Sequence, residues 1–275
     1  AKDLIESACV VILESNIPDT LKPNGTVIQL WHGTPIKKLF LDSNEPSQNL
    51  NIYNYRARKY NKWLQQDYFV CDSESIIEYF KSAFPQQQTH ILNCGYPRIR
   101  YLLDKQTDHH YISFIKRELK LDPEKETLLY APTWKSHQDD SDLLPISDGL
   151  LNKYNVIFKG HIEDQASYIP ENAILAPPHI EVQDLLLVSD IVLTDYSSII
   201  FDALTINKTV CQYTPNHAKY IAERGVYDEV MHSLATVRYS DAKALLNDLI
   251  SHQMTEIHSN PFINKDNHAF ETLSH

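Results

Sequence analysis

Two stretches of this chain carry residue types suited to holding an anion. Residues 193–203 read LTDYSSIIFDA, so an apolar run ends on Asp195, Tyr196, Ser197 and Ser198 and a second apolar run starts at once. A buried strand over 190–194 followed by a helix over 198–206 would place these groups at a helix N-terminus, with Ser197 or Asp195 near its cap. Backbone N–H groups lacking helical partners and a partial positive charge gather there. With two hydroxyls added, the spot suits a phosphate. A cap needs one such residue, and four polar groups in a row exceed that need. Asp202, about a turn further on, has the chemistry to accept from a ribose hydroxyl. Ser197 as a hydrolase nucleophile is disfavoured, because the flanking glycines of a nucleophile elbow are missing. The second stretch, FKGH (158–161), sets Lys159 and His161 at alternate positions of a strand end, where both point to one side. Charged donors of this kind suit a pyrophosphate.

Two further strand ends carry polar groups. After TVIQL comes WHGTP, with His32 beside Gly33. Pro35 suits the first position of a helix that Thr34 would cap. A histidine bonded to backbone is the ordinary reading. A histidine at a strand's carboxyl end, beside a glycine that admits a ligand, is also where a general base belongs. After TLLYA come Thr133 and Lys135, either lining the same ligand site or forming a plain turn begun by Pro132.

These positions are meaningful only if the elements exist. Short β-like runs occur at 10–13, 26–30, 67–71, 90–94, 127–131, 155–159, 173–176, 190–194 and 209–213. Amphipathic or apolar helical stretches occur at 52–66, 73–83, 110–120, 182–188, 198–206 and 241–252. Strand–helix alternation predicts parallel sheets with helices on their faces, an α/β fold. The polar stretch 102–110 is the expected linker. It divides the chain into Rossmann-like lobes at 1–105 and 106–275, with a cleft between them. Ligands in such sheets sit beyond the carboxyl ends of the strands.

Composition narrows the classes. Hydrophobic content is 43% and the net charge is −11, which argues against nucleic acid as a partner. A polyanion would have to be met by a local basic pocket. Basic residues do cluster at Lys37 and Lys38 and at Arg56, Arg58, Lys59 and Lys62. The second group reads equally as a solvated helix face and as a surface for an acidic acceptor or anionic lipid. No apolar run approaches a membrane span and no signal peptide is visible, so a cytoplasmic location is expected. The first residue is Ala, which suggests a segment excised from something larger. Cys9, Cys71, Cys94 and Cys211 lack metal-site spacing and read as reduced core thiols. No cofactor and no divalent metal is expected.

The motifs LWHGTPIKKL, GYPRI (95–99), LLYAPTWK (128–135), FKGH, DLLLVSDIVLTDYSSIIFDAL (184–204) and RGVY (224–227) stand in one order. Together they resemble the CDP-glycerol glycerophosphotransferase family, whose members build teichoic acids and related capsule polymers. The resemblance spans roughly residues 25–230 and implies a GT-B fold. It implies transfer of a polyol phosphate from a CDP-polyol donor onto the terminal hydroxyl of a polymer or lipid-linked acceptor, releasing CMP, with room for a peripheral contact on the inner face of the membrane. By motif, His32 resembles the catalytic base. Lys159, His161, Ser197 and Ser198 resemble the donor-phosphate contacts, with His161 also serving catalysis. Asp202 resembles an acidic residue near the ribose, and Ile180, Glu181 and Val182, running on to Gln183, resemble the stretch that meets the base through backbone groups. Gly33, Thr34, Thr133, Lys135 and Asp195 would line the cleft. Ile162 stands where the family usually has proline. The residues alone leave three alternatives: a GT-B enzyme using a UDP-sugar, a non-catalytic nucleotide-binding module, and a serine hydrolase.

Overall fold

The apolar runs build two sheets in a computed structural model that describes residues 2–15, 20–43, 60, 65–84, 89–133, 143–160 and 172–274. The chain forms two compact units, one of residues 1–100, 220–230 and 261–275, the other of 101–219 and 231–260. Every pairing between named strands is parallel. This is the α/β architecture of two Rossmann-like units expected for GT-B.

The first unit contains α1 (Lys2–Ser7), β1 (Val10–Leu13), β2 (Thr26–Gln29), β3 (Tyr68–Cys71), α2 (Ile77–Ala83) and β4 (His90–Asn93). The helix α3 (Pro97–Lys105) opens on Pro97, whose missing N–H costs nothing at a first helical position. The sheet order is β1-β2-β3-β4. Trp31 packs with Phe69, Phe80 and Phe84 at centroid distances of 5.2–5.8 Å, an aromatic layer under the carboxyl ends of β2 and β3.

The second unit contains α4 (His109–Glu118), β5 (Glu126–Tyr130), α5 (Asp148–Lys153), β6 (Tyr154–Phe158), β7 (Ile174–Leu175), α6 (Val182–Val188), β8 (Ile191–Thr194), α7 (Ile199–Thr205) and β9 (Thr209–Tyr213). The chain then passes through α8 (His217–Arg224) and α9 (Asp228–Ser233), of which residues 220–230 belong to the first unit, before β10 (Arg238–Tyr239) and α10 (Ala242–Ser251) of the second and α11 (Ala269–Leu273) of the first. Strands β6 and β8 are buried along their whole length, as a parallel sheet covered on both faces requires. Leu128, Tyr130, Val156, Phe158, Leu193 and Cys211 of the sheet pack with Leu144, Leu150, Leu245 and Leu249. The sheet order is β10-β9-β8-β5-β6-β7. Counted from β5, this is the doubly wound order 3-2-1-4-5-6, and the order reverses between β5 and β8.

Several expectations change. The stretch 102–110 is no linker: α3 runs to Lys105 and α4 begins at His109. Leu102 is fully buried and the Asp108 carboxylate accepts from the Tyr111 amide at 3.0 Å, so the polar residues are the exposed faces and cap of two helices. Residues 220–230 and 261–275, assigned by sequence continuity to the second lobe, pack in the first. No helix starts at Pro35 and Thr34 is buried rather than capping. The segment is extended instead: Lys37 forms an antiparallel bridge with Val226, the Tyr227 amide donates to Ile36 O, and the Lys38 amide donates to Gly225 O. Backbone partners from the RGVY motif replace helical ones. Gly225 has φ +73°, and a Cβ there would lie 3.0 Å from Lys38 Cδ. Cys9 is exposed, whereas Cys71, Cys94 and Cys211 are buried. The helix anticipated over 52–66 lies almost wholly outside the described residues.

Candidate active site

The sheet reversal in the second unit brings together two strand exits whose polar residues the sequence singles out. The Asp195 carboxylate, after β8, accepts from the Thr133 amide at 2.9 Å and from the Thr133 hydroxyl, after β5. It also accepts from the Tyr196 amide at 2.7 Å, and Gln212 at the end of β9 donates its Nε2 to Asp195 O. Asp195 is buried, so these bonds tie three neighbouring strand exits together at the point where an open α/β sheet binds ligands. With its carboxylate so engaged, Asp195 does not cap α7. The N-cap is Ser198, which makes no side-chain cap bond.

Ser197 and Ser198 are half-buried at the start of α7. Ser197 Oγ accepts weakly from the Ile199 amide at 3.4 Å, and no histidine among the described residues bonds to it. Burial pushes the thiols of Cys71 and Cys211 up to about 12, which keeps them protonated and unreactive at neutral pH. Lys159 is half-buried just after β6, with its amide donating to Tyr130 O at 2.9 Å. Asp202 is 4% exposed within α7, so its carboxylate is packed rather than presented to solvent. Ile180 is buried, Glu181 is the exposed N-cap of α6 and Val182 its first residue.

In the first unit, His32 follows β2 between two residues of positive φ, Trp31 at +60° and Gly33 at +143°. The non-glycine Trp31 is held in this unusual region by three sets of contacts. Its amide donates to Gln29 Oε1 at 3.0 Å, its Nε1–H donates to Gly33 O at 2.9 Å, and its ring packs in the aromatic layer. His32 stacks on Trp31 at 4.3 Å. Its Nδ1 lies 3.1 Å from Glu14 O. A carbonyl only accepts, so Nδ1 carries the proton and Nε2 the lone pair. The imidazole presents an edge to solvent although protein surrounds most of it. Burial holds its pKa below the usual 6.5, with Arg98 and Lys37 acting in the same direction against the Glu14 carbonyl and carboxylate. A neutral imidazole with a defined basic nitrogen is the form a general base requires.

His161 and Lys135 lie outside the described residues, as do Arg56, Arg58, Lys59 and Lys62. Asp140, Ser141 and Asp142 form an Asp-x-Asp triplet, a residue pattern that runs against the expectation of no divalent metal. It too lies outside them. Among the described residues, no group of three or more His, Cys, Asp or Glu is placed to hold a metal ion. No described helix is long and apolar enough to cross a membrane.

Sequence reasoning missed two partners. Glu14 supplies its carbonyl from beyond β1, and backbone acceptors leave no trace in residue type. His217 lies beside Tyr196, and Arg238 beside His217. His217 stands four residues beyond β9, and the rule that exposed His32 could have flagged it.

The comparisons with known proteins agree on one family. The model of the CDP-Glycerol:Poly(glycerophosphate) glycerophosphotransferase family matches residues 1–270. A teichoic acid glycerol-phosphate transferase of Staphylococcus aureus is 29% identical over 258 residues, covering 86% of this chain and 65% of that protein. A teichoic acid poly(glycerol phosphate) polymerase of Bacillus spizizenii is 31% identical over 211 residues, 70% of this chain and 52% of that one. The solved wall teichoic acid polymerase TagF is similar with a TM-score of 0.75 and 27% identity, over 88% of this chain and 63% of its own. A TagF variant soaked with CDPG is similar with a TM-score of 0.74 and 27% identity, over 90% and 64%. The chain thus spans less than two thirds of the length of these curated relatives.

Proposed function

Because the chain belongs to the CDP-glycerol:poly(glycerophosphate) glycerophosphotransferase family, we propose that it transfers a polyol phosphate, glycerol phosphate first among candidates, from a CDP-polyol to the terminal hydroxyl of a teichoic-acid-like or capsule polymer. The observation that supports this most directly is the hydroxyl pair Ser197–Ser198 at the reversal point of the second sheet, with its approach braced by Asp195 and Thr133. In this reading the donor's pyrophosphate lies at Ser197, Ser198, Lys159 and His161, beside the first amides of α7. The nucleoside extends towards Ile180, Glu181 and Val182. Asp202, being buried, shapes α7 and meets the ribose only if the helix start yields.

The chemistry is a displacement at the β-phosphorus. The acceptor oxygen forms the new P–O bond and passes its proton to Nε2 of His32. The bond from the β-phosphorus to the bridging oxygen breaks, and that oxygen leaves with CMP. Protein donors hold the growing charge on the leaving group, a role that preorganised N–H and O–H groups perform well. His32 belongs to the first unit and the hydroxyl pair to the second, so the reading assigns acceptor activation to one and donor binding to the other.

The test is CMP release from CDP-glycerol, CDP-ribitol and UDP-sugars in the presence of a short poly(glycerol phosphate) acceptor. Release of CMP from a CDP-polyol supports the reading. Turnover of a UDP-sugar alone overturns it in favour of a glycosyltransferase, and CDP binding without turnover under all conditions favours a non-catalytic module. A peripheral contact with anionic lipid is part of the same proposal. Failure to co-sediment with phosphatidylglycerol vesicles at low salt would remove it.

A further inference from the structure

Tyr196 sits one residue before the hydroxyl pair and is 2% exposed. A buried phenol needs a partner for its hydroxyl. Here the partner is His217: Nδ1 lies 2.8 Å from Tyr196 Oη, and the rings are parallel to within 5° at 6.0 Å. On the far side of the imidazole, Arg238 Nη1 lies 3.3 Å from Nε2. A guanidinium can only donate, so Nε2 must accept and Nδ1 must carry the hydrogen that His217 gives to Tyr196 Oη. Burial and the Arg238 charge both hold His217 below its usual pKa, which keeps it in this neutral form. The three residues come from three places in the chain: the β8 exit, the first residue of α8 and the first residue of β10. At its other end, the Tyr196 amide is bound by the Asp195 carboxylate at 2.7 Å. Tyr196 is therefore gripped at backbone and hydroxyl, and the peptide leading into Ser197 has little freedom left.

We propose that Tyr196 is a positioning residue for the Ser197–Ser198 loop, with its orientation set by a hydrogen bond from His217 whose tautomer Arg238 selects. This rests on the reading that the hydroxyl pair meets the donor's phosphates. None of the three residues need touch the donor. Their effect is to hold two hydroxyls and the following amides in one arrangement before the donor arrives, so the ordering cost is not met at binding.

The two nitrogens of His217 can be separated by substitution. Asparagine places an amide near the former Nδ1 and can still donate to Tyr196, but it cannot reach Arg238. Glutamine places its amide near the former Nε2 and can accept from Arg238, but it loses Tyr196. Tyr196→Phe keeps the ring and deletes the hydroxyl. The experiment compares wild type, Tyr196→Phe, His217→Asn, His217→Gln and Arg238→Met by two readouts. One is calorimetric affinity for CDP, and the other is amide hydrogen exchange resolved for segment 195–201, both at a temperature where every variant is folded.

The expected pattern is a CDP Kd raised about threefold to tenfold in Tyr196→Phe and in His217→Gln, the worth of one buried hydrogen bond. His217→Asn should recover most of that loss. Exchange should quicken in 195–201 for the first two variants while the rest of the second unit keeps its protection, a local pattern that general destabilisation would not give. Equal losses in His217→Asn and His217→Gln would overturn the assigned tautomer. Loss of CDP affinity in Arg238→Met but not in Tyr196→Phe would overturn the proposal by making Arg238 a direct donor contact. If wild type binds no CDP, the donor reading fails by itself, and hydrogen exchange still decides whether His217 and Tyr196 order the loop.

Discussion

Replacing His32 by asparagine isolates its basic nitrogen from its structural bond. The Nδ1–H of His32 donates to Glu14 O at 3.1 Å, and an asparagine amide nitrogen occupies nearly the same place. His32→Asn therefore keeps the tie to the β1 exit and removes Nε2, whereas His32→Ala removes both. General-base catalysis contributes about 10²–10⁴-fold, or roughly 2.7–5.5 kcal/mol of barrier. Both variants should lose that much turnover. They should differ in stability by no more than about 1.5 kcal/mol, the net value of one ordinary hydrogen bond. Calorimetric CDP affinity should stay within about twofold of wild type, because the proposed function gives donor binding to Ser197, Ser198, Lys159 and His161 and acceptor activation to His32. The pH profile gives a second check. With its pKa below 6.5, the His32 base stays neutral somewhat below that value, so the acid limb of kcat/KM should fall below pH 6.5 and vanish in the residual activity of His32→Asn. Between the folded and unfolded pKa values the unfolded chain binds more protons, so the His32 contribution to stability is complete above pH 6.5 and is lost as the pH falls below it. The assays are CMP release under saturating donor and a thermal melt across pH. Wild-type turnover in His32→Asn, or an acid limb above 6.5, would refute the assignment of the base.

Other outcomes follow from the same geometry. Asp195→Ala leaves the Thr133 and Tyr196 donors without their acceptor and should cost about 3–5 kcal/mol, a fall in Tm on the order of 10 °C. Asp195→Asn, which retains an acceptor oxygen, should cost about 1–2 kcal/mol by denaturant titration. A melt of Gly225→Ala should show a loss of at least about 1 kcal/mol from the positive φ and the crowding against Lys38, and no loss would refute a role for that glycine in the 36–38 pairing. CDP should raise Tm more than UDP or ADP does, since a ligand selective for the folded state stabilises it by mass action. Ser198→Ala should diminish the CDP shift and leave cytidine binding almost unchanged.

Much of this was visible in residue order. Strands β6 and β8 appear as short apolar runs because the middle of a parallel sheet buries both its faces, and the edge strands β1, β4 and β7 keep the apolar pattern although residues in them are exposed or partly buried. The hydroxyl pair and His32 are candidates by the same logic, since ligands gather where such strands end and polar residues there stand out against apolar neighbours. The family motifs strengthened both readings. What the residue types could not show was how far backbone pairing reaches across the chain. The local pattern of 34–38, with Thr34 and Pro35, suits a helix start, yet Gly225, Val226 and Tyr227 supply partners from almost two hundred residues away and the segment is extended. Likewise 102–110 is polar enough for a linker, and only the burial of Leu102 shows it to be the outer surface of two helices.

Amino-acid order alone settled where hydrophobic periodicity and strand ends fall, and so which side chains stand at the carboxyl edge of each sheet. Tertiary structure decided the strand order that puts β5 beside β8, and with it the bond from Thr133 to Asp195 across 62 residues of chain. It also decided the protonation of two histidines. A tautomer depends on which atom lies opposite each nitrogen, a carbonyl for His32 and a guanidinium for His217, and those atoms arrive from distant parts of the chain. Periodicity is a property of neighbours in sequence, whereas a proton's position is a property of neighbours in space.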